Sequence, residues 1–113
     1  MDYPHEYIIF DMEVTEYRFN TDVFVQFSAR KYSGNEVIDK LDILVNNQTN
    51  DLPESFIKRT RITKGLLKSK GISILEAKHK ISEFIAGYPL ISYKGDFYFF
   101  KMLKFIVEKP LPN

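Results

Sequence analysis

Up to Val45 the apolar residues run together or alternate, and after Pro53 they recur every three or four positions. The run "YIIF" at 7–10 is continuous, which predicts a strand covered on both faces. The polar segment "EYRFNTD" separates it from "VFVQFSARKY" at 23–32. There Val23, Val25, Phe27 and Ala29 alternate with Phe24, Gln26, Ser28 and Arg30, the period of a sheet with one better-buried face. "SGNE" at 33–36 is a turn signal, and "EVIDKLDILV" at 36–45 reads as a third strand, so the second and third form an antiparallel hairpin. "NNQTNDLP" is a loop of turn formers. Pro53 marks a helix start, "PESFIKRT" fits a short helix, and "ITKGLLKSKG" fits a further helical turn and loop.

The clearest helix spans Ser73 to Ala86. Ser73 and Glu76 make a capping box, Ile74, Ala77, Ile81, Phe84 and Ile85 form its apolar stripe, and Gly87 stops it. "PLISY" at 89–93 is a short strand. "KGD" is a turn with Asp96 as helix N-cap, and a very apolar helix follows from Phe97 to Val107, ended by Pro110 and Pro112. The order is β-β-β-α-β-α. A helical crossover returns the fourth strand parallel to a neighbour, which predicts an α/β fold with a mixed sheet.

Composition narrows the picture. The chain has 113 residues, 44% hydrophobic and 15% aromatic, enough for one cored domain over 1–113. With no cysteine, disulfide frameworks and thiolate metal sites are excluded, which suits a reducing compartment. The net charge of +1 gives no general argument for nucleic acid. No apolar run approaches the roughly 18 residues of a membrane span. The start, "MDYPHEY", lacks a hydrophobic signal core. These observations lead to the expectation of a soluble cytoplasmic protein.

The candidate chemistry lies at "YIIFDMEVT". Asp11 and Glu13 are two apart on a strand, so both side chains face one side. As a pair they could hold one divalent cation weakly; the plainer reading is solvent-facing acids where the strand leaves the core. "KRTR" at 58–61 reads as a solvated basic face before a phosphate contact. "FYFFKMLKFI" reads as core packing, or as a surface that further structure would cover.

These stretches together resemble the N-terminal two thirds of a DnaQ-like 3′–5′ exonuclease, the DEDD group. The first motif of that group, D-x-E-T after an apolar strand, is matched by "IIFDMEVT", with Val14 set between Glu13 and Thr15. "VQFSARKYSGNEVID" resembles its second strand, and "TRIT" at 60–63 stands where the group has T-G-I-T. The second motif, H-N-x-x-F-D, corresponds to "YKGDFY": Tyr93 replaces the histidine, Lys94 the asparagine, and Tyr98 the metal-binding aspartate, while Phe97 is retained. Asp96, two positions before Tyr98, would point about 200° away on a helix, so it is an N-cap before it is a shifted metal ligand. The third motif is absent.

The resemblance implies a ribonuclease H-like mixed sheet, truncated relative to the full domain. It implies metal ligands at Asp11, Glu13 and, by substitution, Asp96, with Mg²⁺ or Mn²⁺ as the cation. It implies nucleic-acid contacts at Thr15, Arg59, Arg61 and Lys94. In that group two cations between four carboxylates activate water and stabilise the leaving oxygen. Asp11 and Glu13 alone cannot hold two. The expected function is therefore a degenerate exonuclease-like domain, not a competent nuclease by itself, that binds a protein partner, a second copy, or DNA or RNA. A truncated sheet leaves an edge and an apolar helix face to be covered. The rivals are a metal-dependent exonuclease completed by a second chain, and an unrelated α/β interaction module.

Overall fold

The structure, a computed structural model, describes residues 5–47, 52–94 and 97–108. Strand β1 (Glu6–Val14) pairs antiparallel with β2 (Phe24–Ser33), which pairs antiparallel with β3 (Glu36–Leu44). Three helices follow, α1 (Glu54–Thr60), α2 (Lys64–Lys70) and α3 (Ile74–Ile85). They return the chain to β4 (Leu90–Ser92), parallel to β1, and α4 (Phe97–Glu108) closes the described chain. The sheet order is β3-β2-β1-β4, the mixed α/β sheet that the strand pattern predicts.

Local signals explain most of these elements. Gly34 sits at φ 60 in the hairpin turn, a conformation glycine adopts without a Cβ penalty. The Ser73 hydroxyl accepts from the Glu76 amide at 3.1 Å, so half of the expected capping box is formed at the start of α3. Gly87, at φ 77, follows the end of that helix. "TRIT" is the joint between α1 and α2. Thr60 Oγ1 donates to the Phe56 carbonyl and accepts from the Ile62 amide, Arg61 turns into the left-handed region at φ 64, ψ 14, and Thr63 caps α2.

Three expectations need correction. β1 does not end at Phe10; it runs to Val14, so Asp11 and Glu13 lie inside the strand. β2 pairs with it along that whole length and keeps it extended. Nor is β1 equally buried on both faces. Ile8, Phe10, Met12 and Val14 are buried, whereas Tyr7, Ile9, Asp11 and Glu13 are half-buried. The alternation expected for β2 also slips. A bulge sets Val14 opposite Phe24 and Glu13 opposite Gln26, so Phe24 and Phe27 share the main core while Val25 enters a smaller one.

The main core lies between α3 and α4 and the Ile8–Val14 face, joined by Phe27, Ala29, Ile43, Ala77, Ile81, Met102 and Ile106. The smaller core gathers Val25, Leu52, Phe56, Ile62 and Leu67, with Leu44 against it. It places α1 and α2 over one end of the opposite face, the face that carries Glu13.

Candidate functional site

Antiparallel pairing puts opposed residues on the same side of a sheet. Asp11 pairs with Ser28 and Ser28 with Asp42, forming a polar row across three strands. The Ser28 hydroxyl donates to Asp42 Oδ1 at 2.6 Å, and Arg30 Nη1 donates to the same oxygen at 2.8 Å. Arg30 above all, helped by Ser28 and opposed by partial burial, holds the Asp42 carboxyl below its ordinary range. Asp11 accepts the Met12 amide at 2.9 Å. Asp11, Ser28, Arg30, Tyr32, Ile9 and Tyr93 line an open cavity of about 350 Å³.

Glu13 is held differently. Arg59, from α1, donates Nη1 to its Oε2 at 2.8 Å, and the Glu13 side chain is 17% exposed. The Arg59 guanidinium also lies over the Phe56 ring at 5.5 Å. Thus the two acids of the first motif share a face but not an environment: Asp11 opens into a cavity, and Glu13 already has a cation.

Tyr98 stands at the position of the second-motif aspartate. Its hydroxyl donates to the Arg18 carbonyl at 2.8 Å, and its ring packs edge-on against Tyr17 at 4.9 Å and tilted against Phe19 at 5.3 Å between centroids. It ties the loop after β1 to α4. A neutral phenol committed to a carbonyl does not replace a carboxylate as a ligand for a hard divalent ion. Among the described residues no group of three or more His, Cys, Asp or Glu side chains is placed to hold a metal. The described donors therefore do not fit a two-ion centre. Asp96 lies outside the described residues.

The remaining residues singled out from the sequence are scattered. Thr15 follows β1 and donates its amide to the Val23 carbonyl. Arg61 is the left-handed joint of "TRIT". Lys94 is exposed, with its ammonium 5.9 Å from the Phe99 ring. Sequence reading missed Asp42, whose place beside Ser28 depends on strand register. It also missed the Arg59–Glu13 pair, whose members are 46 residues apart with no spacing to signal them.

A sheet ordered β3-β2-β1-β4, with only β4 parallel to β1, is that of a ribonuclease H-like α/β fold, the fold of exonuclease I. Solved structures of exonuclease I superpose closely. A product-bound form matches with TM-score 0.77 and 15% identity, covering 92% of this chain and 25% of that one. A complex of exonuclease I with SSB-Ct matches with TM-score 0.73 and 15% identity, covering 92% and 24%. In sequence, the PolC-type DNA polymerase III of Clostridium perfringens (strain 13 / Type A) is 25% identical over 95 residues, 84% of this chain and 6% of the polymerase. The chain therefore spans a small fraction of that polymerase and about a quarter of exonuclease I. No protein-family model matches it. No helix among the described residues is long and apolar enough to cross a membrane.

Proposed function

We propose that residues 1–113 form one exonuclease-like domain that binds without cutting, in a nucleic-acid-processing setting. The observation that carries this reading is the state of the two inherited motifs. Glu13 is neutralised by Arg59 at 2.8 Å, and Tyr98 fills the second-motif position as a staple to the Arg18 carbonyl. What is left for a divalent ion is Asp11, enough for weak, single-ion binding of Mg²⁺ or Mn²⁺ and too little for the paired ions that phosphodiester hydrolysis uses here.

Binding has surfaces available. Among the described residues β4 has a neighbour on one side only, and around it Ile91, Tyr93 and Phe97 are 47%, 74% and 76% exposed. Unpaired edges and apolar patches of this kind are normally covered. A protein partner or a second copy of the chain meets that need; of the residues the resemblance offers for DNA or RNA, Thr15, Arg61 and Lys94 remain, since Arg59 is held by Glu13. Exonuclease I, which shares the fold, has been captured with product and with SSB-Ct, which supports this setting.

The test is digestion of end-labelled single-stranded DNA and RNA in Mg²⁺ and in Mn²⁺, with Asp11→Ala alongside. The expected result is no release of label above that of the variant, with any nucleic-acid or partner binding unchanged by the substitution. Metal-dependent release that Asp11→Ala abolishes overturns the proposal and points to a centre completed by a second chain.

A further inference from the structure

We infer that Arg59 is the built-in cation of Glu13: its guanidinium holds the place a divalent ion would take at that carboxylate and keeps such ions out. The inference deepens the reading of the chain as a domain that binds without cutting, and rests on it.

Four observations converge. First, the Glu13 side chain is 17% exposed, so its charge is largely removed from water and needs a partner. Second, the partner supplied is a guanidinium at 2.8 Å, a charge-assisted bond of the strong kind. Third, Arg59 has a second contact: its guanidinium lies 5.5 Å from the Phe56 ring, and its side chain is otherwise 54% exposed. It leaves α1 at the helix end, where Thr60 Oγ1 bonds the Phe56 carbonyl and Arg61 turns left-handed. Fourth, the pairing is selective within "KRTR": Lys58 pairs with Glu54 on its own helix at 3.5 Å, while Arg59 reaches across to β1. An arriving divalent ion would meet a positive charge on the carboxylate it needs, and the two cations repel. Tyr98 supplies no carboxylate from α4 to offset that repulsion.

The experiment combines thermal unfolding of the full chain, in Mn²⁺ and in EDTA, with Mn²⁺ titration calorimetry. The chains compared are wild type, Arg59→Met, Glu13→Gln and the double variant. Wild type is expected to melt at nearly the same temperature in both solutions and to show only the weak, single-ion Mn²⁺ heat that Asp11 allows. Arg59→Met should melt lower in EDTA, gain a Mn²⁺-dependent rise, and bind Mn²⁺ at least about tenfold better than wild type. The double variant should recover part of the loss, because no unpaired carboxylate remains at position 13, and should bind Mn²⁺ no better than wild type. Arg59→Gln serves for the same readouts if Arg59→Met does not fold.

An Arg59→Met chain that stays indifferent to Mn²⁺ overturns the inference, leaving an ordinary structural ion pair. So does strictly additive behaviour of the two substitutions, or a wild type that binds Mn²⁺ as tightly as Arg59→Met does. Metal-dependent nuclease activity in wild type is a separate outcome, and overturns the binding-only reading itself.

Discussion

The two faces of the sheet are built on opposite terms. On one, Ile8, Phe10, Met12 and Val14 of β1 are sealed under α3 and α4 by aromatic and aliphatic side chains. On the other, α1 and α2 cover one end through a small core, and Ile9, Asp11, Ser28, Arg30 and Tyr32 are half-buried around a cavity. Every second residue of a single strand belongs to each regime. The difference concentrates the apolar packing on the face under α3 and α4 and leaves the ion pairs and hydrogen-bonded acids on the other.

The largest expected effect comes from testing neighbours on the two faces. Phe10 is 1% exposed, stacked on Phe27 with ring centroids 6.0 Å apart and met edge-on by Phe100 at 5.4 Å. Phe10→Ala should cost about 3–5 kcal/mol, the range for truncating a core aromatic. Ile9→Ala, one residue away on the half-buried face, should cost roughly 1–2 kcal/mol. Urea midpoints of the two variants check the contrast, and equal losses would show that the two faces share the stability evenly.

Much of this architecture was legible because its signals are local. The hairpin rests on Gly34 in "SGNE", the start of α3 on Ser73, and the parallel return of β4 on the length of the helical connection. The shared face of Asp11 and Glu13 follows from strand period alone. What was not legible depends on three-dimensional register. The bulge that diverts Val25 into the second core looks in sequence like unbroken alternation. Arg59 in "KRTR" looks like any solvated base until α1 is docked over β1. Asp42 looks like a surface acid of an edge strand until β2 brings Ser28 and Arg30 to it.

A smaller effect probes how α1 and α2 are held against the second face. Arg61 occupies the left-handed region at φ 64, where a Cβ is penalised and where the resembling T-G-I-T motif places glycine. Arg61→Gly should relieve that strain and stabilise the chain by about 0.5–1 kcal/mol, after the extra freedom glycine gives the unfolded chain is subtracted. Chemical denaturation reads the gain. Coupled with nucleic-acid binding, the variant separates two roles of one residue: greater stability with weaker binding marks Arg61 as a contact held at a conformational cost, and greater stability alone marks it as a joint.

The smallest effect lies in the polar row and depends on pH. Arg30 and Ser28 hold the Asp42 carboxyl below its usual value of 3.8, so the unfolded chain takes up the proton more readily than the folded one. The stability this contributes is fully present above the ordinary carboxylate range. It is lost as pH falls through the lowered folded value, so the window lies below about pH 4. Both partners are substantially exposed, 37% for Arg30 and 48% for Asp42, which limits the effect to about 0.2–1 kcal/mol and makes it weaken with salt. Asp42→Asn should therefore show its full deficit in urea unfolding at pH 7 and lose it progressively as the pH is taken down below about 4. Wild type should fall toward the variant as its own carboxylate takes up a proton. Arg30, its pKa raised mainly by the same bond, stays charged throughout and adds no slope of its own. A deficit that does not shrink as the pH falls would mean that Asp42 acts through neutral hydrogen bonding to Ser28, and that charge contributes nothing to this part of the open face.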